Sequence, residues 1–273
     1  MLVKKIAETT SKEVALYQVL SSGLDIPEST FILKCPALEE ILFNRNLVSG
    51  DLQKAALCSS KAFFEMFADK IQKYPSGQRV ELVNLTGSLY YYLSGAHMKV
   101  FENPLFQNFV GIRRFPVKGY FDDNGRQVFE TDICYTSFES EGKICFLGDT
   151  IATGISVADS LRMYLPWAQG HGLEELVIFS ICGSKIGAER IHKICKEYQI
   201  PVTMVFGLGI LGLGEDGTAL TWNGHDKPIT IDEYYTKANQ TYSHGECAIG
   251  DWGLRNRNPF MYLLERKKEK LGI

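Results

Sequence analysis

No stretch of the sequence approaches the roughly 20 consecutive apolar residues needed to cross a bilayer, so a membrane partner is not expected. A basic excess is also missing. The formal net charge is −3, whereas bulk nucleic-acid binding needs a positive surface to displace counterions. That balance leaves room for a small anion, because one loop can hold a phosphate on an acidic protein. No CxxC pair occurs among the 7 cysteines, and their number is odd. Cys145 and Cys182 sit inside apolar runs, where Cys behaves as a small buried hydrophobe. Reduced thiols in a cytoplasmic protein are therefore expected rather than disulfides or a zinc site. The opening MLVKKIAETTSKE lacks the apolar core of a signal peptide. The histidines His97, His171, His192, His225 and His244 have no metal-ligand spacing and no nucleophile motif beside them, which argues against a hydrolase triad. The glycine-rich GLGILGLGEDG contains no GxGxxG leading into a helix, so a dinucleotide fingerprint is not expected.

The composition that remains is ordinary and globular, with 45% hydrophobic and 22% charged residues over 273 positions. That is enough for one large α/β unit with a sizeable core. A single domain over 1–273 is expected, with a helical region over 1–77 and an α/β core over 78–273. Phe63, Phe64, Phe67 and Ile71 recur at helical spacing and read as core packing. Tyr74-Pro75-Ser76-Gly77 reads as a turn. Beyond it, apolar runs at 80–85, 109–113, 144–147, 176–182 and 202–206 alternate with helical stretches at 89–98, 156–167 and around Ile191, Ile194, Cys195 and Tyr198. Continuous apolar strands between amphipathic helices imply a parallel sheet covered on both faces. Such sheets take ligands at the carboxyl ends of their strands. Asp122-Asp123-Asn124-Gly125 lies between Phe-, Tyr- and Val-rich runs and predicts a protruding hairpin over 114–135. A turn is expected at Glu215-Asp216-Gly217. Residues 222–246 give no clear pattern.

The richest stretch is KICFLGDTIATGISVADSL, residues 143–161. An apolar strand runs to Leu147 and ends at Gly148 and Asp149. The loop Thr150, Ile151, Ala152, Thr153, Gly154 follows, and Ile155 and Ser156 lead into a helix. This layout offers backbone N–H groups at a helix N-terminus, where the dipole favours a phosphate. Thr150, Thr153 and Ser156 add hydroxyls, and Gly154 permits close approach or positive φ. Asp149 stands where its carboxylate can accept from vicinal ribose hydroxyls. The bland alternative is a strand–turn–helix with Ser156 as N-cap. Asn84–Ser88 offers a second strand-end loop, either as donors or as a plain helix cap. Arg113 and Arg114 end the 109–113 run, and alternation sends them to opposite faces.

The ordered strand, acid and Thr-Gly loop resembles the phosphoribosyl pyrophosphate (PRPP) signature of type I phosphoribosyltransferases. Resemblance to uracil phosphoribosyltransferases extends to CPALEEILFNRN from Cys35, to VGIRR from Val110 with its hairpin, and to AIGDWGLR from Ala248. It implies the α/β fold of that family, a parallel sheet flanked by helices. It also implies transfer of the phosphoribosyl group of PRPP to a nitrogenous base, a pyrimidine such as uracil, with release of pyrophosphate. Carried over residue by residue, PRPP binding falls to Thr86, Gly87, Arg114, Asp149, Thr150, Ile151, Ala152, Thr153, Gly154, Ile155 and Ser156. Base binding falls to Ile249, Gly250, Asp251 and Trp252, and catalysis to Asp149 and Asp251. Mg2+ would be bound through the substrate pyrophosphate, and a homodimer is implied. Three positions differ from the pattern, among them Trp252, which stands where a small residue is expected. Gly148 stands where the family has an acid, and Leu85 stands where the uracil enzymes carry an arginine. A non-catalytic PRPP or nucleotide sensor and an assembly protein therefore stand beside the enzyme as alternatives.

Overall fold

Continuous apolar runs place their side chains on both faces of a sheet, so both faces need a cover. In a computed structural model, residues 2–20, 23–85, 87–123, 125–224, 227–249 and 252–271 are described. The chain begins with β1 (Val3–Glu8), β2 (Ala15–Val19) and β3 (Thr30–Lys34), then α1 (Pro36–Phe43), α2 (Ser49–Met66) and α3 (Ala68–Ile71). Next come β4 (Arg79–Leu85), a 3-10 turn (Ser88–Tyr91), α4 (Leu93–Phe101), β5 (Phe106–Phe121), β6 (Gln127–Ser137) and β7 (Ile144–Gly148). They are followed by α5 (Ile155–Gly170), β8 (Glu175–Ser180), β9 (Gly183–Ser184), α6 (Lys185–Glu197), β10 (Val202–Gly207) and β11 (Gly209–Leu213). The last elements are β12 (Leu220–Thr221), β13 (Ile229–Thr230), α7 (Asp232–Thr241), α8 (Trp252–Arg257) and α9 (Pro259–Leu271).

The main sheet has the order β1-β2-β3-β10-β8-β7-β4-β5-β6. Pairing from β3 through β5 is parallel, and the outer pairs β1–β2, β2–β3 and β5–β6 are antiparallel. A small second sheet joins β12, β11 and β13, with β9 alongside β11. Side-chain alternation divides the strands between two cores. Ile144, Phe146, Val177 and Phe179 face one core with α1, α2 and α4. Cys145, Leu147, Leu176 and Ile178 face the other with α5 and α6. The α/β class with a helix-flanked sheet is the observed one.

The region over 1–77 departs from the helical reading. Residues 36–71 are helical, but β1–β3 precede them and extend the sheet, Thr30 of β3 standing opposite Met204 of β10. Two features hid these strands. In β1 only Val3 is buried. In β3 the adjacent Ile32 and Leu33 enter opposite cores, which leaves a run too short to show a period. The hairpin also begins earlier than expected. β5 runs for 16 residues without a break, so the 109–113 run and the first arm are one strand. Its turn is closed by Asp122 N–H to the Arg126 carbonyl at 2.8 Å and by Gly125 at φ 74°. Asn124 lies outside the described residues.

Strand order locates the binding crevice. From β4 the chain passes to β5 on one side. It later returns as β7 on the other side of β4 and continues outward to β8 and β10. The loops after β4 and β7 therefore diverge to opposite faces and open a crevice at their carboxyl ends, the switch point where such sheets bind ligands.

Candidate functional site

A cleft of about 640 Å³ occupies that crevice. One wall follows β4 and β7: Asn84, Leu85 and Gly87, then Asp149, Thr150 and Ala152 to Val157. The facing wall holds Asp216, Thr218, Ala219, Cys247, Ile249 and Trp252, with Arg114 and Arg257 also on the cleft.

The loop after β7 is supported from behind. Ser184 N–H donates to the Ile151 carbonyl at 2.8 Å, and Ser184 Oγ donates to the Ala152 carbonyl at 2.5 Å. Arg190 Nη1 donates to the Thr153 carbonyl at 2.7 Å. In a trans peptide, a carbonyl and the next N–H point in opposite directions. Binding three successive carbonyls on the β9–α6 side therefore turns the N–H groups of Ala152, Thr153 and Gly154 away from it. These three residues line the cleft. Gly154 is the N-cap of α5 at φ 71° and has no side chain to satisfy the first turn. The helix dipole adds to this anion site. Ser156 is consequently not the N-cap; the helix begins one residue earlier, at Ile155.

Close packing fixes this loop. A Cβ on Gly187 would stand 2.5 Å from the Ala152 carbonyl oxygen, and one on Gly154 would stand 2.7 Å from the Gly187 carbonyl oxygen. Only hydrogen at both positions lets the two segments cross. Ile151 leaves the expected set of ligand residues. Its side chain is fully buried, its N–H donates to the Cys182 carbonyl at 3.1 Å, and it does not line the cleft.

Asp149 is partly buried beside this loop. Its Oδ1 accepts from Thr150 N–H at 2.8 Å, and its Oδ2 accepts from Asn84 Nδ2 at 3.2 Å. Burial raises its pKa from 3.8 to about 6, against the opposing effect of Asn84, Thr150 N–H and Arg114. Gly87 lies so close that a Cβ there would stand 2.8 Å from Asp149 Oδ1. Thr86 lies outside the described residues.

Tyr91 explains Gly148. A Cβ on Gly148 would stand 2.8 Å from Tyr91 Cβ and Cγ, so the tyrosine ring fills the space an acid would need. Tyr91 is fully buried, and burial holds its phenol protonated. Its hydroxyl accepts from Ile181 N–H at 3.1 Å and lies 3.0 Å from Thr150 Oγ1. With its acceptor side facing the amide, the phenol can give its proton to Thr150 Oγ1. The Thr150 hydroxyl then keeps its own proton for a ligand oxygen.

On the facing wall, Arg114 Nη2 donates to Thr218 Oγ1 at 3.3 Å, and its guanidinium lies 4.4 Å from the Phe129 ring centre. Gln127 N–H donates to the Glu215 carbonyl at 3.2 Å, which ties the hairpin to the expected turn at 215–217. Asp216 Oδ1 accepts from the N–H groups of Thr218 and Ala219 at 2.9 and 2.8 Å. Arg255, fully buried, reaches the carbonyls of Ile41, Asn44, Leu47 and Ile249 at 2.8–3.3 Å and so links Ile249 to the end of α1. Carbonyls at a helix C-terminus suit a cation. Trp252 is 5% exposed and packs 5.9 Å from the Tyr91 ring, so it lines the cleft while rooted in the core. Gly250 and Asp251 lie outside the described residues. Arg113, on the opposite face of β5 from Arg114, does not line the cleft.

Residues not anticipated from the sequence include Tyr91, Thr218, Arg190 and Ser184, and Asn84 is anticipated only as the start of the 84–88 loop. Asn84 carried a signal, being a polar side chain at the end of an apolar strand. The others act through contacts distant in sequence.

No protein-family model and no curated protein matches the chain. Solved structures do resemble it. The AQ2163 protein from Aquifex aeolicus matches with a TM-score of 0.49 at 18% identity, over 70% of this chain and 91% of that one. A hypoxanthine phosphoribosyltransferase from Staphylococcus aureus matches at 0.34 and 17%, over 69% and 92%. An adenine phosphoribosyltransferase from Trypanosoma brucei, in complex with AMP, pyrophosphate and ribose-5-phosphate, matches at 0.39 and 12%, over 67% and 86%.

Proposed function

We propose that this chain binds PRPP in the switch-point cleft and transfers its phosphoribosyl group to a nitrogenous base, a pyrimidine such as uracil, with release of pyrophosphate. The observation that carries the proposal is the loop 149–156. Three of its carbonyls are bound from behind, its N–H groups turn to the cleft at the N-terminus of α5, and Asp149 stands beside it. A 5-phosphate fits those N–H groups and the Thr150 hydroxyl. The ribose hydroxyls then face Asp149. Arg114 faces the same cleft, where a guanidinium meets pyrophosphate oxygens. Ile249 and Trp252 give the base an apolar, flat surface, and Gly250 and Asp251 complete the proposed base loop.

Catalysis in such a site comes from positioning and from stabilising charge as the ribosyl centre becomes cationic. Asp149 supplies the nearby negative charge, and Asp251 is proposed to share this role. Mg2+ would be held through the oxygens of the substrate pyrophosphate and water, where it would offset the charge of the leaving group. A homodimer formed through the hairpin belongs to the same proposal, since paired arms expose edge N–H and carbonyl groups.

The test is titration with PRPP and with uridine monophosphate, followed by assay of pyrophosphate release with a panel of bases. Turnover with uracil supports the full reading, and turnover with purines alone sinks the pyrimidine assignment. A second reading, nucleotide sensing without chemistry, is favoured by the Tyr91 ring beside Gly148. Binding of PRPP with no release of its pyrophosphate in the presence of any base decides for the sensor.

A further inference from the structure

Two vicinal hydroxyls call for two acceptors, and position 148 offers none. The structure supplies another candidate beside Asp149. Asn84, the residue before the end of β4, is 2% exposed and lines the cleft. A carboxylate oxygen accepts only, so the amide must present Nδ2 to Asp149 Oδ2, as it does at 3.2 Å. Its Oδ1 is thereby directed away, and among the described residues that oxygen is buried with no hydrogen-bond partner. A buried amide oxygen left unpaired is costly, and a ligand hydroxyl would offset that cost. The Asn84 backbone is fixed as well, its N–H donating to Ser88 Oγ at 3.0 Å.

We infer that Asn84 is a ribose-specificity residue, its Oδ1 accepting from one ribose hydroxyl while Asp149 accepts from the other. This rests on the phosphoribosyl reading and extends it. The amide and carboxylate act as one acceptor pair, neutral on one side and charged on the other. The Asn84 donor also keeps the Asp149 carboxylate turned toward the sugar.

The experiment compares ribose 5-phosphate with its 2-deoxy and 3-deoxy forms by calorimetric titration of the full chain. The wild type is expected to prefer ribose 5-phosphate over both by about tenfold, the worth of one good hydrogen bond. In Asn84→Ala one of those two ratios should fall to near one while the affinity for that deoxy form stays. Asn84→Asp keeps the size of the side chain and loses the donor to Asp149. It should bind ribose 5-phosphate weakly at pH 8 and recover as the pH is lowered and the pair takes up a proton. Unchanged ratios in either folded variant overturn the inference while leaving the phosphoribosyl reading intact. Equal loss for all three ligands also overturns it, marking Asn84 as a support of the fold. Failure of ribose 5-phosphate to bind the wild type overturns both.

Discussion

The two walls of the cleft are built by different means. The wall after β7 presents main-chain N–H groups, its carbonyls bound from behind by Ser184 and Arg190, and is fixed by the Gly154–Gly187 crossing, where a Cβ would meet main-chain atoms at 2.5–2.7 Å. The facing wall is held by side chains: Arg255 under Ile249, Arg114 on Thr218, and Asp216 within its own turn. A backbone-built surface suits the invariant part of a ligand, in the proposed reading the phosphate. A surface built from side chains can be reshaped by substitution, which suits the part that differs between substrates.

The contrast breaks hardest at Arg255. Arg255→Met should leave four carbonyls short of a donor, three of them buried, and lower stability by about 3 kcal/mol or more, read as a reduced urea midpoint. A midpoint equal to the wild type would mean that the facing wall does not depend on this side chain. Next is Gly187→Ala, whose new methyl meets main-chain atoms. Overpacking of this kind costs about 1–3 kcal/mol, and phosphate affinity should fall with it. A Gly187→Ala protein with normal stability and ribose 5-phosphate binding would show that the crossing yields.

Asp149→Asn sharpens the comparison through pH. Loss of a charged hydrogen bond of about 1.5–3 kcal/mol should weaken ribose 5-phosphate binding roughly 10- to 150-fold. Stability moves the other way. The folded pKa of Asp149 is raised from 3.8 to about 6, so its contribution is full below 3.8 and is lost as pH rises through 6. Relative to the wild type, the empty Asp149→Asn protein should gain stability from pH 4 to pH 8. Binding by the wild type needs the carboxylate and should decline as pH falls through about 6. A flat difference in stability across that range would contradict the burial of this group.

The smallest effects belong to the rim. Arg114→Ala should raise the PRPP dissociation constant, and Arg126→Ala, at the hairpin turn, should not. Thr218→Val should leave ribose 5-phosphate affinity within about twofold, the scale of a weak exposed contact, and alter which base is accepted. If Thr218→Val weakens ribose 5-phosphate as strongly as Asp149→Asn does, the division of labour between the walls is wrong.

Much of this was legible in the sequence because parallel strands buried on both faces leave uninterrupted apolar runs. The residues at 80–85, 144–147 and 202–206 announced β4, β7 and β10, and Asp149 with its Thr-Gly loop marked a strand end. β1 was hidden because an edge strand with lysines buries little, and β3 because five residues serving two cores show no period. Within the cleft, Gly148 was readable as a missing acid, but its cause was not, since Tyr91 lies 57 positions earlier and meets it only through the fold. The segment 207–246 stayed opaque because its strands are short, two of them having 2 residues each.

The glycine crossing also settles which part of the cleft can move. With Gly154 seated on Gly187 and three carbonyls bound to β9 and α6, the phosphate loop cannot swing without carrying α5 and α6 along. Those helices are packed into a core and resist displacement. Opening and closing therefore falls to the 214–219 turn and the hairpin joined to it. They are joined at the surface, Gln127 N–H donating to the Glu215 carbonyl and Arg114 to Thr218, and lids of this kind gate many binding sites. On the proposed reading, ligand entry and release would fall to the facing wall, with the loop 149–156 as the stationary jaw.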